Sequence, residues 1–197
     1  METTKTARTR LKIIEVAKEL FATNNFLKTT MDTIAQKAQM SRRTIYMHFQ
    51  SKEDILHYVI DDEAKRIIKN LEGIKTSNMS ADRKLRLHIL TRFNVIHNLV
   101  TRNRYIRYEF IFNQLQLEQR RKAVDVAEHN ILCDIINQGK VEGVLHCTNT
   151  EDFARTIIRM LKSLEQPFII RNNRARTYGM LKEYVDMLFY GILSKNR

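Results

Sequence analysis

Between Met31 and Leu56, cap residues, short apolar stripes and a tight turn follow one another so closely that two short helices and the start of a third fit the spacing. Ser41 is a favoured N-cap, able to accept the backbone N–H near Thr44. Ile45 and Phe49 then lie four residues apart on one face, with Met40 just ahead of the cap, and that face is expected to turn inward. The opposite face holds Arg42, Arg43, Thr44, Tyr46, Met47 and His48. Few cores accept that set, whereas a DNA groove does. Arg bonds bidentately to guanine O6 and N7, and Thr or Met meets a thymine methyl, so the face reads as a base-reading surface. Tyr46 and His48 are assigned to phosphates.

The preceding helix carries Ile34, Ala35 and Ala38 as a narrow stripe, and its two alanines allow close approach of the recognition helix. Its start has two capping arrangements by spacing, Thr29 with Asp32 or Thr30 with Thr33, and a threonine hydroxyl there also suits a phosphate. Ser51-Lys52-Glu53-Asp54 has capping-box spacing too, with Asp54 where Glu is commoner. A fourth helix is expected from Lys52, its free N–H groups and the Lys52 ammonium forming an anion site beside the recognition helix.

Over Leu11 to Leu56 the sequence resembles the TetR family of bacterial one-component regulators. The resemblance is carried by Leu20-Phe21-Ala22, Thr29-Thr30, Ile34-Ala35, Ser41 to Phe49 and Ser51 to Leu56. It implies base contacts at Arg42, Arg43 and Thr44, and phosphate contacts at Thr30, Tyr46, His48 and Lys52. It also implies a three-helix DNA-binding domain over residues 1–51, followed by a helical effector-binding and dimerisation domain over 52–197. Two departures concern the backbone. Gln39 stands where such proteins place Gly in the turn, at a cost of ~1 kcal/mol if φ is positive there. Asn25 replaces a helix-ending Gly and tolerates the left-handed conformation. Arg43, where Gly or Pro is frequent, lies on the reading face and bears on operator sequence.

One proline and five glycines in 197 residues, with apolar recurrence at three and four and no sustained period-two run, predict an all-α fold. Net charge is +12, and residues 1–52 hold ten Lys/Arg against four Asp/Glu. Such asymmetry on a helix-turn-helix points to double-stranded DNA as partner. No apolar leader and no stretch of about eighteen apolar residues is seen, so the expectation is a soluble cytoplasmic chain with no membrane partner.

The first helix, residues 8–23, is expected to turn Leu11, Ile14, Ala17, Leu20 and Phe21 inward, flanked by Ile13 and Val16. Further helices are expected over 52–71, 81–101, 105–112, 117–138, from 149 or 152 to Pro167, and over 176–193, with a break at 73–79. The last helix carries two stripes, Leu181, Val185, Leu188 and Ile192 beside Met180, Tyr184, Met187 and Tyr190. Two stripes suit burial against both its own subunit and a second copy. A homodimer interface is therefore assigned to Tyr184, Met187 and Leu188, and the resemblance, which implies an interface built from the last two helices of each subunit, adds Ile158 and Leu161. A dimer would present recognition helices to grooves about 34 Å apart on a palindromic operator.

Phe93, His97, Tyr105, Tyr108 and Phe112 interleave aromatic and polar groups and are assigned to an effector pocket, although ordinary helical cores look similar. The effector itself is an unknown small molecule. His129 and Cys133 share a helix face and His146-Cys147 follows a loop, but only one pair has defined spacing, so neither a metal nor a cofactor is expected. A Cys/His hydrolase would need an orienting acid and an oxyanion turn, neither of which is evident. The function expected is a sequence-specific DNA-binding regulator, a repressor released by an effector. A DNA-coating protein without an effector is the alternative.

Overall fold

The computed structural model describes residues 4–24, 26–102, 114–171 and 174–191, and their regular structure is entirely helical. The N-terminal helices are α1 (Thr4–Thr23), α2 (Met31–Ala38) and α3 (Arg42–His48). Helix α1 packs on α2 and on α4 (Lys52–Lys75), and α2 seats α3. Its inward stripe is Ile13, Ile14, Ala17, Leu20 and Phe21. Leu11, expected inside, is exposed, because two residues before Ile13 is about 200° around the helix.

Of the two caps open to α2, Thr30 with Thr33 forms. The Thr33 N–H donates to Thr30 Oγ1 at 3.1 Å, and the Thr30 N–H donates to Thr33 Oγ1 at 2.9 Å. Thr29 is buried instead, its hydroxyl donating to the Leu20 carbonyl at 3.4 Å. Gln39 ends α2 in the left-handed region at φ 55°, ψ 45°. The position does require a positive φ, and glutamine carries the strain that glycine would avoid. Ser41 and Ser51 cap α3 and α4, accepting from the Thr44 and Asp54 N–H groups at 3.1 Å each. Asp54 reaches one residue beyond the expected cap, accepting the Gln50 N–H at 3.1 Å. Asn25 lies outside the described residues.

The second unit contains α4, α5 (Ala81–Arg102), α6 (Gln114–Val141), α7 (Thr150–Arg171) and α8 (Arg174–Tyr190). The expected helix over 105–112 and residues Ile192 and Leu193 lie outside the described residues. Helix α4 runs through Gly73, α6 through Gly139, and α7 through Pro167, so three expected stops do not stop a helix. Interior Gly costs about 1 kcal/mol and Pro about 3, too little to end helices that buried residues such as Ile67, Leu71, Ile157 and Leu161 hold elsewhere along their length. Gly139 has a separate use. A Cβ there would stand 2.5 Å from Leu145 Cδ1, so only glycine lets the following loop fold Leu145 back onto the helix.

Helix α5 packs against α4, α6 and α7, and α7 also packs on α6 and α8. Their shared core includes Leu85, Ile89, Phe93, Leu132, Ile136, Ile157, Leu161, Leu181 and Val185. Inside it lies a buried ion cluster. Arg92 Nε donates to Glu128 Oε2 at 3.0 Å, and Arg92 Nη1 stands 2.7 Å from Glu165 Oε1. Arg121 Nη2 donates to Glu165 Oε2 at 3.1 Å, and His88 Nε2 lies 3.2 Å from Glu128 Oε1. The cluster therefore joins α5, α6 and α7 through charge. Burial pushes the Glu128 carboxyl up, but Arg92 and His88 outweigh it and hold the group at about 2. Burial likewise lowers Arg92, and the Glu165 and Glu128 carboxylates reverse this to leave it above its ordinary range.

Breaking such a cluster from one side strands a charge, so Glu128→Leu is expected to cost about 3–5 kcal/mol in urea unfolding. Because Glu128 titrates at about 2 when folded and near 4.5 when free, its contribution is present above the free value and is lost as pH falls through the folded one. Wild type should lose stability relative to Glu128→Gln between about pH 5 and about pH 2, and parallel curves would contradict this.

Candidate nucleic-acid interface and effector groove

Helix α3 has seven residues, too few to persist alone, and two buried side chains hold it. Ile45 and Phe49 are buried, and Met40 packs at the edge of the same core. The remaining face is open. Arg42 and Arg43 are exposed, Tyr46 is 52% exposed and Met47 77%. Thr44 and His48 are half-buried on its flanks. The Thr44 hydroxyl lies 2.8 Å from the Ser41 hydroxyl, and Arg42 pairs with Asp32 of α2. This pair orients Arg42 at the surface, where a base edge would compete with Asp32 for it.

Lys52 has a different position from the one its spacing suggests. Its ammonium donates to the carbonyls of Phe26, Thr29 and Leu27 at 3.0, 3.1 and 3.4 Å, and lies 4.4 Å from the Phe26 ring centroid. It therefore ties the start of α4 to the loop between α1 and α2, and a phosphate would have to share it with these carbonyls. Lys18 of α1 adds a second tie, its ammonium 3.3 Å from Asp62 and 3.2 Å from Glu63 of α4. Thr30 is exposed at the start of α2, its Oγ1 already accepting the Thr33 N–H.

In the second unit, the expected pocket residues Tyr105, Tyr108 and Phe112 lie outside the described residues. Phe93 and His97 are buried in α5, Phe93 edge-on to Tyr178 with ring centroids 6.2 Å apart. A groove that sequence reading did not find lies elsewhere. Asp61, Ala64, Lys65 and Ile68 of α4 face Ala123, Val124 and Ala127 of α6 around 470 Å³. This is within the range small-molecule sites occupy, and the short side chains of the three alanines leave the space between the helices unfilled. Small residues facing each other across a helix pair were the available signal.

The expected dimer residues divide. Leu161 is 1% exposed and belongs to its own subunit's core, because α7 is covered by α5, α6 and α8; Ile158 is nearly as buried. On α8, Leu181 and Val185 are buried, whereas Met187 is 44% and Tyr190 64% exposed, with Tyr184 and Leu188 between. Of the second stripe only Met187 and Tyr190 face outward, since Met180 and Tyr184 are half-buried against the core. His129 and Cys133 come within 3.7 Å, while His146 and Cys147 line a 190 Å³ cavity with Leu85, Phe153 and Phe189. Among the described residues no three His, Cys, Asp or Glu gather as metal ligands. Burial, aided by Glu151 and Asp134, pushes the Cys133 thiol above its usual range, which disfavours the nucleophilic thiolate. Among the described residues no helix is long and apolar enough to cross a membrane.

Residues 13–59 match the family described as bacterial regulatory proteins, tetR family. The fatty acid metabolism regulator protein of Bacillus subtilis is 30% identical over 191 residues, covering 94% of this chain and 96% of its own. Two solved structures share the fold. The Bacillus subtilis transcriptional regulator FadR in complex with stearoyl-CoA aligns with TM-score 0.69 at 21% identity, over 93% of this chain and 99% of that one. The Thermus thermophilus FadR, in complex with lauroyl-CoA, gives 0.67 at 19%, over 95% and 97%.

Two outcomes are expected here. Gln39→Gly relieves a left-handed non-glycine residue and should raise unfolding stability by about 1 kcal/mol, and a loss of stability would contradict the turn assignment. Lys52→Met keeps the stem and removes the donated bonds, so thermal or urea unfolding should show a loss of about 1–3 kcal/mol without DNA present. An unchanged midpoint would return Lys52 to a purely DNA-facing role.

Proposed function

Since the chain belongs to the TetR family of bacterial regulatory proteins, whose members are DNA-binding transcriptional regulators, we propose that it is a cytoplasmic homodimeric repressor that binds a palindromic operator and is released by a long-chain acyl thioester. The observation that carries the DNA half is the open face of α3. Arg42, Arg43, Tyr46 and Met47 face solvent from a helix whose other side is held by Ile45 and Phe49. In this reading Arg42, Arg43 and Thr44 meet base edges, while Thr30, Tyr46 and His48 meet phosphates. Met187 and Tyr190 on the outer stripe of α8, with Tyr184 and Leu188, form the dimer contact.

The effector half rests on the names of the solved relatives and on chemistry. Two neighbours carry acyl-CoA, and the α4–α6 groove offers an apolar wall of Ala64, Ile68, Ala123, Val124 and Ala127 with Lys65 at its rim. An acyl chain suits the wall, and an anionic head group suits the lysine. Because α4 also carries the DNA-binding unit, a ligand that parts α4 from α6 alters the position of α3. It shifts DNA affinity only through its different affinity for the two arrangements, typically about 1–3 kcal/mol.

Fluorescence anisotropy on a palindromic fragment selected from the source genome tests both halves. Stearoyl-CoA or lauroyl-CoA should weaken binding by about 5- to 150-fold while free CoA does not. No response to either thioester removes the effector half and leaves the DNA half standing. Arg43→Ala should cost about 1–3 kcal/mol on the operator and little on scrambled duplex. Equal loss on both, or no operator preference as salt is raised, would favour a DNA-coating protein instead.

A further inference from the structure

The corner where α3 turns into α4 contains a contact that neither the core nor the DNA-facing surface accounts for. Arg10, on α1, places its guanidinium carbon 5.1 Å from the Phe49 ring centroid and 4.8 Å from that of Tyr58. Phe49 is the residue that closes α3, and Tyr58 lies in the second turn of α4. The two rings meet edge-on at 6.2 Å, so one cation touches α1 and both arms of the corner. A cleft of 480 Å³ opens beside it, walled by His48, Gln50, Asp54, His57 and Asp61. Packed apolar side chains do not fill this side of the corner.

We propose that Arg10 is a positioning residue that sets the angle between α3 and α4 and thereby the operator half-site spacing the protein accepts. The proposal rests on the dimeric DNA-binding reading above. A guanidinium held over two rings inclined at 78° is attracted from two directions at once, so it resists bending of the corner in a way an alkyl side chain does not. In a dimer the two recognition helices must match grooves one helical turn apart, and one added base pair displaces a half-site by about 3.4 Å and rotates it by about 34°. A fixed corner rejects that displacement, and a loosened one accepts it.

The test is binding of full-length protein to the operator and to versions with one central base pair added or removed. Wild type should prefer the native spacing by about tenfold or more. Arg10→Met, which keeps the stem and helix propensity, should narrow that preference to within about threefold, while Arg10→Lys, which keeps a cation over the rings, should retain most of it. If Arg10→Met does not fold, Tyr58→Leu attacks the same contact from α4 and should give the same narrowing. A uniform loss on all three duplexes, or an unchanged ratio, makes Arg10 merely structural and overturns the proposal. A wild type indifferent to spacing defeats the dimer reading itself, and this role with it.

Discussion

A seven-residue helix does not hold its own conformation in water, so everything this molecule presents to DNA depends on the burial of Ile45 and Phe49 against Ile34, Ala35 and Ala38. The alanines of α2 permit close approach, and burial of each large apolar side chain contributes about 1.5–3 kcal/mol. With one face so held, the other contributes no buried side chain to the core. That separation allows Arg42, Arg43, Tyr46 and Met47 to be chosen for what lies outside the protein.

The small unit is also fastened to α4 at several points along its length. Lys52 grips the α1–α2 loop carbonyls, Arg10 lies over Phe49 and Tyr58, and Lys18 pairs with Asp62 and Glu63. From Asp61 onward α4 also lines the groove, where Asp61, Ala64 and Ile68 face α6. The three N-terminal helices and the first turns of α4 are therefore tied together, next to the α4–α6 groove. On the far side, Arg92, Glu128, Glu165, Arg121 and His88 bind α5, α6 and α7 together. Buried charge of this kind is weak as a stabiliser against an apolar replacement but costly to break from one side, which suits a fixed frame.

Much of the first unit was legible because its signals are local. Caps at Ser41 and Ser51 and the apolar spacing of Ile45 and Phe49 each depend on a few adjacent residues, whereas the left-handed turn at Gln39 was raised only by the family resemblance. Thr30 and Thr29 were not separable by spacing, since choosing between them needs the burial that only the packed fold supplies. Lys52 shows another limit: spacing gives the helix face of a lysine, while its flexible stem decides where the ammonium ends. Gly73, Gly139 and Pro167 were read as stops because propensity is local and the packing that overrides it is not. The ion cluster did leave a trace, for His88 and Arg92 sit among Leu85, Ile89, Phe93 and Ile96 on the buried face of α5. Charges at apolar-stripe positions ask for buried partners, and the partners Glu128 and Glu165 interrupt the stripes of α6 and α7 in the same way. The α4–α6 groove left a weaker trace, since alanines at helical spacing also read as plain packing.

The most direct test of the outward face of α3 is photo-crosslinking from a photoreactive side chain at position 47, where Met47 is 77% exposed, with position 141, where Val141 is 90% exposed on α6, as control. If α3 enters the groove, position 47 crosslinks to bases within both operator half-sites and position 141 does not. Crosslinking that is absent at 47, or equal at the two positions, would contradict the account.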